Sequence, residues 1–327
     1  MQTDTILITG AGGYVGANAA EYFVRKGFRV IGTVHRRTPE RLVRLGIKIA
    51  HADLADGVDH LFDERIDYVL HIAARASDVG PDKLFRTANY DAVVRLASAA
   101  MARGVKRFVY LSTADVYGLH DFNGETEDEL SFDESVVNPY PKYKILSEKW
   151  LAANIPPERF SCVRPCVIFG NGDTTITPRT LAYLRTSPVV FHFGKWKGRN
   201  RWPLAHVENV CRTLHAAMVL PEAGGRGVTV LDSKRTTLDE YYKGLAAEFI
   251  PGKRLRECSI PMWAIRPIAW LSTTLSRDHP LFDPTLYALD TVAHNLDFSN
   301  RRMLEWLAAI GSEEHLHTSY GDQCGAS

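Results

Sequence analysis

Two tyrosines and two lysines fall within five consecutive positions of "NPYPKYKIL", residues 138–146. A phenol beside an ammonium group can trade protons, so their spacing matters. If a helix starts near Pro139, residues four apart share a face. That places Lys144 one turn from Tyr140, whereas Tyr143 has Ser147 at the same distance. Pro139 and Pro141 fit a first helical turn, where a missing N–H costs little. Free tyrosine, with a pKa near ~10, is a poor base at neutral pH. One cation at ~4 Å contributes about 4 kcal/mol at an effective dielectric of ~20, or roughly three pKa units before desolvation takes some back. The spacing therefore predicts that Lys144 pulls the pKa of Tyr140 down.

These residues need elements to hold them. Short β-type runs at 5–9, 28–34, 47–52, 67–73, 106–112 and 160–165 alternate with amphipathic segments such as 14–26, 83–103 and 142–153. Strands alternating with helices of this length imply βαβ units, hence an α/β fold with a parallel sheet covered on both faces. After about residue 170 the pattern loosens, with Pro, Gly and basic residues through 171–203. The expected organisation is a doubly wound Rossmann-type domain over 1–170 and a smaller, mostly helical substrate lobe over 171–327. The run "GVTVLD" at 227–232 is expected to rejoin the sheet.

The first βα turn reads "ITGAGGYVGANAAEYFVRKG" and carries Gly10, Gly13 and Gly16. Glycines there permit a tight turn and close approach of a pyrophosphate, while the helix N-terminus offers N–H donors and positive potential. Gly10, Gly13, Tyr14, Val15 and Gly16 are thus expected to bind a dinucleotide. At the end of the second strand, NAD sites usually carry an acid. Here "GTVHRRT" has Val34 instead, followed by His35, Arg36 and Arg37. Guanidinium forks suit a 2′-phosphate that an acid would repel, so NADP(H) is favoured over NAD(H). Asp53 and Leu54 in "HADLAD" follow the third strand, with Asp53 placed to accept from an adenine amino group. With a nicotinamide nearby, hydride exchange at a carbinol carbon needs a proton relay at its oxygen. Tyr140 can serve, and Thr113 can hold that oxygen.

Taken together, "TGAGGYVG", "HIAA", "STADVYG", "YPKYK" and "VRPCVIFGNGD" resemble the extended short-chain dehydrogenase/reductase superfamily, of the NAD(P)-dependent epimerase/dehydratase type. The match runs in order over residues 5–173. It implies a Thr–Tyr–Lys triad at Thr113, Tyr140 and Lys144. It also implies cofactor contacts from Ala73, Ala74, Asn89, Pro165 and Val167, and pairing of helices 83–103 and 142–153 into a four-helix homodimer contact. The family's sugar dehydratases carry Asp-Glu immediately after the active-site Thr. Ala114 and Asp115 stand there, which argues against 4,6-dehydration and gives Asp115 a structural part or a place beside the substrate.

The C-terminal half, from "NPYPKYKILSEKWL" through "HPLFDPTLYALDTVAHNLDFSNRRMLEWLA", looks like the 3β-hydroxysteroid and sterol dehydrogenase branch. That implies oxidation or reduction of a secondary alcohol or ketone on an apolar ring or chain. The competing expectation is a nucleotide-sugar epimerase or 4-keto reductase, whose diphosphate would need the cations of "GKWKGRNR", Lys195 and Arg201 among them. His206 in "PLAHVEN" is a further candidate for the substrate cleft. A catalytically idle NADP-binding regulator is a third reading, but such proteins lose the Tyr or Lys, and both are present here.

Composition limits the partners. A net charge of +1 gives no global attraction to nucleic acid. The twelve histidines form no HxxxH or HxH cluster, so no metal is expected. The 5 cysteines form no even disulfide framework, and the N-terminus lacks a charged n-region and a long apolar stretch, which favours a reducing cytoplasm. "SIPMWAIRPIAWLSTTL" at 259–275 is too short and interrupted to span a bilayer, and is expected to be a buried or substrate-covering helix rather than one lying on a membrane surface.

Overall fold

The computed structural model describes residues 3–275, 285–317 and 319–320. At its centre is a 7-stranded parallel sheet. We number its strands β1 (Thr5–Thr9), β2 (Arg29–Val34), β3 (Lys48–His51), β4 (Tyr68–His71), β5 (Arg107–Leu111), β6 (Phe160–Pro165) and β7 (Gly227–Val230). Their spatial order is 7-6-5-4-1-2-3, so the winding reverses between β1 and β4. Open α/β sheets bind ligands beyond the strand C-termini at such a reversal. All seven strands fall in segments that the sequence pattern marks out, including the late return of β7 beside β6.

Alternation along each strand sends side chains to opposite faces. Ile6 and Ile8 of β1 pack with Phe23, Val210, Leu214, Met303 and Trp306 on one side. Leu7 packs with Val93, Leu96, Phe108 and Leu151 on the other. Helices Tyr14–Arg25, Val207–Val219 and Arg301–Ala309 thus cover one face, and Ala92–Ala102 with Pro139–Asn154 covers the other. The segment expected as one helix over 83–103 is broken. A π turn at Thr87–Asp91 separates Asp82–Arg86 from Ala92–Ala102. Such a turn displaces a carbonyl from the helical ladder, and the Asn89 carbonyl accepts instead from Ser147 Oγ at 2.7 Å.

Beyond β6 a separate apolar cluster forms around Phe169, Leu181, Trp202, Leu204, Tyr241 and Leu245. Three short parallel pairings tie this region together: Val167–Phe169 with Leu204–His206, Val190–Phe193 with Glu257–Ile260, and Phe122–Glu125 with Leu296–Phe298. The last links the loop after β5 to the C-terminal region, a long-range contact that local pattern does not carry. The segment expected as a buried or covering helix is a helix at Met262–Leu275 with Pro267 inside it. Burial is corrected: Trp263, Ile268, Trp270 and Leu271 are all exposed.

Candidate active site

The helix Pro139–Asn154 begins as its sequence requires. Asn138 caps it by accepting from the Tyr140 amide at 2.9 Å, and two prolines occupy the first turn. Its two Tyr/Lys combinations separate in space. Tyr143 donates to Asp82 Oδ2, and Lys142 reaches Asp82 Oδ1 at 3.1 Å. Lys144 turns inward instead. It is buried, donates to the Leu111 carbonyl at 2.6 Å, and lies 5.9 Å from the centre of the Tyr140 ring and 4.6 Å from that of Tyr110. Thr113 stands two residues past β5, and its hydroxyl is hydrogen-bonded with the Tyr140 phenol. Thr113, Tyr140 and Lys144 are therefore brought together at the C-terminal end of β5.

The electrostatics differ from the expectation in sign. Burial pushes the Tyr140 phenol well above the ordinary tyrosine value, the nearby Asp115 carboxylate adds to this, and the Thr113 bond offsets only part. Burial also draws Lys144 down to about 7, against a pull upward from Glu148. Desolvation disfavours whichever form carries charge, and here it outweighs the attraction between the two. Beneath the helix, Glu148 is held by Arg164 through Nε at 3.0 Å and Nη2 at 2.6 Å. Arg164 also donates to Tyr117 Oη at 2.7 Å, so the tyrosine of "STADVYG" braces β6 rather than joining the triad.

Sequence reasoning missed Tyr287. Its hydroxyl donates to Asp115 Oδ2, and burial first, then the Asp115 carboxylate, push that phenol well above the ordinary tyrosine value. Burial raises the Asp115 carboxyl above the usual range, while the bond from Tyr287 draws it partly back. Two residues earlier, Thr285 Oγ1 contacts Asp78 Oδ2 at 3.0 Å. The helix Leu286–Ala293 is thus pinned over the triad at two points. Nothing local to "DPTLYALD" signals this role.

The glycine turn has the shape of a diphosphate cradle. Gly10 has φ +67°, and a Cβ there would lie 2.8 Å from the Ala73 Cα. A Cβ on Gly16 would lie 2.1 Å from the Gly10 carbonyl oxygen. Gly13 caps the helix Tyr14–Arg25 without a side chain, leaving the first-turn amides of Val15 and Gly16 with no acceptor inside the helix. A nicotinamide dinucleotide fits these residues. Behind the turn, Thr9 Oγ1 meets His71 Nδ1 at 2.8 Å and accepts from the Ala73 amide at 3.2 Å. Burial lowers His71 to about 3, so this link is uncharged. Ala74 follows in the exposed loop after β4.

At the outer end of β2, Val34 is buried and His35, Arg36 and Arg37 are exposed. His35 Nε2 lies 3.1 Å from Asp53 Oδ2, and Asp53 Oδ1 accepts from the Ala55 amide. The Leu54 carbonyl is taken by Arg95. Pro165 ends β6, on the other half of the sheet from β2, and Val167 starts the next short strand, its amide bonded to the Pro203 carbonyl at 2.9 Å.

Other expected residues are committed elsewhere. Asn89 spends both side-chain polar atoms on the Arg75 backbone, at 2.7 and 3.1 Å, and so shapes the loop after β4. His206, a candidate for the substrate cleft or for a satisfied buried histidine, is the latter: it is buried, caps the helix Val207–Val219 through Nδ1 and packs against the rings of Phe169 and His315. Lys195, expected to meet a diphosphate, pairs with Asp121 at 2.6 Å. Burial would raise that carboxyl, but bonds from the Asn295 amide, Lys195 and Trp196 hold it well below the usual range. The Arg201 guanidinium reaches the Arg235 carbonyl at 3.5 Å in a solvent-exposed contact, while its backbone amide donates to Asn295 Oδ1 at 2.7 Å. One trio of metal-ligand type does converge: donor atoms of His192, Asp239 and Glu257 lie within 4.8 Å of one another. Lys243 already sits on both carboxylates, at 2.7 and 3.0 Å.

A parallel sheet reversing at β1, with a glycine turn at its crevice, defines a dinucleotide-binding protein of the Rossmann type. Residues 6–231 match the NAD dependent epimerase/dehydratase family, and the chain belongs to that family. It is an NAD(P)-dependent enzyme of the extended short-chain dehydrogenase/reductase kind. It is 32% identical over 179 residues to 2-alkyl-3-oxoalkanoate reductase of Stenotrophomonas maltophilia, a match covering 53% of this chain and 54% of that protein. It is 28% identical to the sterol-4-alpha-carboxylate 3-dehydrogenase ERG26 of Candida albicans, over 63% of this chain and 62% of that protein. UDP-glucose 4-epimerase of Vibrio cholerae is 24% identical over 80% of each chain. Among solved structures, the fold is similar to epimerase Mth375 of Methanothermobacter thermautotrophicus, with a TM-score of 0.74 at 20% identity, covering 98% of this chain and 90% of that one.

Proposed function

We propose that the protein is an NADPH-dependent ketone reductase acting on an apolar 3-oxo compound. The observation that carries this reading is the convergence of Tyr140, Thr113 and the buried Lys144 at the C-terminal end of β5. The nicotinamide supplies hydride to the carbonyl carbon when bound. Thr113 donates to the carbonyl oxygen and holds it against Tyr140. Tyr140 gives its proton to that oxygen as the alcohol forms. Lys144, when charged, favours the phenolate left behind, and its bond to the Leu111 carbonyl fixes it in place. A phenol is protonated at neutral pH and can supply the proton that ketone reduction needs. Arg36 and Arg37 supply the cations for a 2′-phosphate where no acid opposes one.

The substrate class draws support from the names of two relatives, a 2-alkyl-3-oxoalkanoate reductase and a sterol-4-alpha-carboxylate 3-dehydrogenase. Both names combine a large apolar body with an oxygen at position 3 and a neighbouring carboxylate. A second reading, nucleotide-sugar epimerisation, draws on the UDP-glucose 4-epimerase relative. Lys195 weighs against it, because its charge is committed to Asp121.

The same proposal assigns residues 1–170 and the strand near 227–232 to the cofactor, and the rest of 171–327 to the substrate. Homodimer formation through 83–103 and 142–153 is supported by Leu84 and Leu146, large apolar side chains exposed on those segments. A reducing cytoplasm fits the free thiols of Cys162, Cys166, Cys211 and Cys258. Among the described residues no helix is long and apolar enough to cross a membrane.

One panel tests the reading. NADPH-linked turnover is measured with apolar 3-oxo acids, cyclic ketones, sterols and UDP-, GDP- and dTDP-sugars, and redox-neutral epimerisation is followed separately. Tyr140→Phe is expected to lower ketone turnover by about 10²-fold or more while leaving NADPH affinity nearly unchanged. Undiminished turnover in that variant removes the mechanism. Sugar conversion without net cofactor change selects the epimerase.

A further inference from the structure

The helix Met262–Leu275 turns four large apolar side chains away from the protein. Trp263 is 80% exposed, Ile268 52%, Trp270 56% and Leu271 50%, whereas Ala269 and Ser272 are buried. Positions 263, 267, 270, 271 and 274 recur at helical spacing and form one outward stripe, so the exposure is a continuous face rather than scattered residues. The helix contains no carboxylate, and its single charged residue, Arg266, pairs with Asp290 at 2.9 Å.

The surroundings are cationic. The strand Glu257–Ile260 leads into the helix and pairs with Val190–Phe193, setting exposed Phe191 opposite Cys258. Gly194, just past that strand, lies against the helix start: a Cβ there would be 3.2 Å from the Met262 Cγ. The turn continues with exposed Lys197 and Arg199, and exposed Arg254 and Arg256 precede the strand Glu257–Ile260. Of the nearby acids, Glu257 shares Lys243 with Asp239, and Asp290 pairs with Arg266. An apolar, tryptophan-bearing helix bordered by arginines and lysines has the chemistry that lies in the interface of an anionic bilayer.

We propose that this face docks the enzyme on an anionic lipid surface, where an apolar substrate partitions. The choice of face rests on exposure and charge, and its use in substrate capture rests on the reductase reading above. A second copy of the chain is the competing occupant.

The test uses the intact protein with phosphatidylcholine vesicles, with and without phosphatidylglycerol. Co-sedimentation is expected with the anionic vesicles and weakens as salt rises. The double variant Trp263→Ser/Trp270→Ser is expected to bind at least about tenfold more weakly, with its circular dichroism and its turnover of a water-soluble ketone unchanged. Lys197→Gln/Arg199→Gln is expected to weaken binding only to the anionic vesicles. Absence of binding to either vesicle overturns the proposal, as does binding that the double serine variant leaves unaltered. Concentration-dependent dimerisation that the serine variant abolishes, without vesicle binding, assigns the face to a second copy and also overturns it. Vesicle binding is read without turnover, so a protein that binds but reduces no ketone refutes the reductase reading and leaves the lipid surface standing.

Discussion

The hydroxyl of Tyr287 is hydrogen-bonded to the carboxylate of Asp115, although the two residues lie 172 apart in sequence. This bond joins the helix Leu286–Ala293 to the turn that carries Thr113, directly beside the phenol of Tyr140. It holds that helix over the site and fixes the position of the Asp115 carboxylate next to Tyr140.

Removing either partner therefore acts in a defined direction. The Asp115 carboxylate raises the Tyr140 phenol, so Asp115→Asn is expected to lower it and shift the alkaline limb of alcohol oxidation to lower pH. Tyr287→Phe leaves the Asp115 charge in place and loses one hydrogen bond, about 1 kcal/mol of stability. Its larger effect is expected on KM rather than on the pH profile. Identical pH profiles for Asp115→Asn and the parent enzyme would show that the carboxylate is not coupled to the phenol.

Arg36 and Arg37 lie exposed at the end of β2, where Val34 replaces the usual acid. A guanidinium bond to a phosphate contributes about 1.5–3 kcal/mol. Arg36→Ala and Arg37→Ala are thus expected to weaken NADPH by roughly 10–100-fold and NADH by less than about threefold. Equal affinity of the parent enzyme for both dinucleotides, measured by fluorescence titration, rules out the proposed preference.

Lys144 has a stability signature separable from catalysis. Its folded-state value, lowered to about 7, lies below the ordinary lysine value of 10.5. Between those two pH values the unfolded chain binds more protons, so stability rises with pH through that window. Below it both states are charged, and the folded state bears the whole desolvation cost. Lys144→Met is expected to be more stable than the parent at pH 7 by about 1–3 kcal/mol, with turnover lost, and that advantage shrinks by pH 10. Denaturant melts at the two pH values check this; a destabilised variant at pH 7 contradicts a buried, desolvated ammonium.

Local chemistry made much of the fold legible in advance. The β-branched runs between turn residues marked all seven strands of the central sheet, because a strand covered on both faces must be apolar along its length. The helix start at Asn138–Pro141 and the separation of Lys144 from Lys142 follow from helical spacing alone, which needs no tertiary information. The glycine turn was readable for the same reason: the steric demand at Gly10 and Gly16 arises within a few residues.

What escaped the sequence involves distant partners. Tyr287 reaches Asp115 across 172 residues, and Leu296–Phe298 pairs with Phe122–Glu125, contacts that no local pattern carries. The outward face of Met262–Leu275 could not be told from a buried one, since the same apolar pattern serves both. The composition and spacing of the residues determined the sheet, the phosphate turn and the Tyr140–Lys144 pairing. Only the tertiary structure decided the burial of Lys144 and the Tyr287–Asp115 bond beside Tyr140, because both depend on atoms the folded chain assembles from far apart.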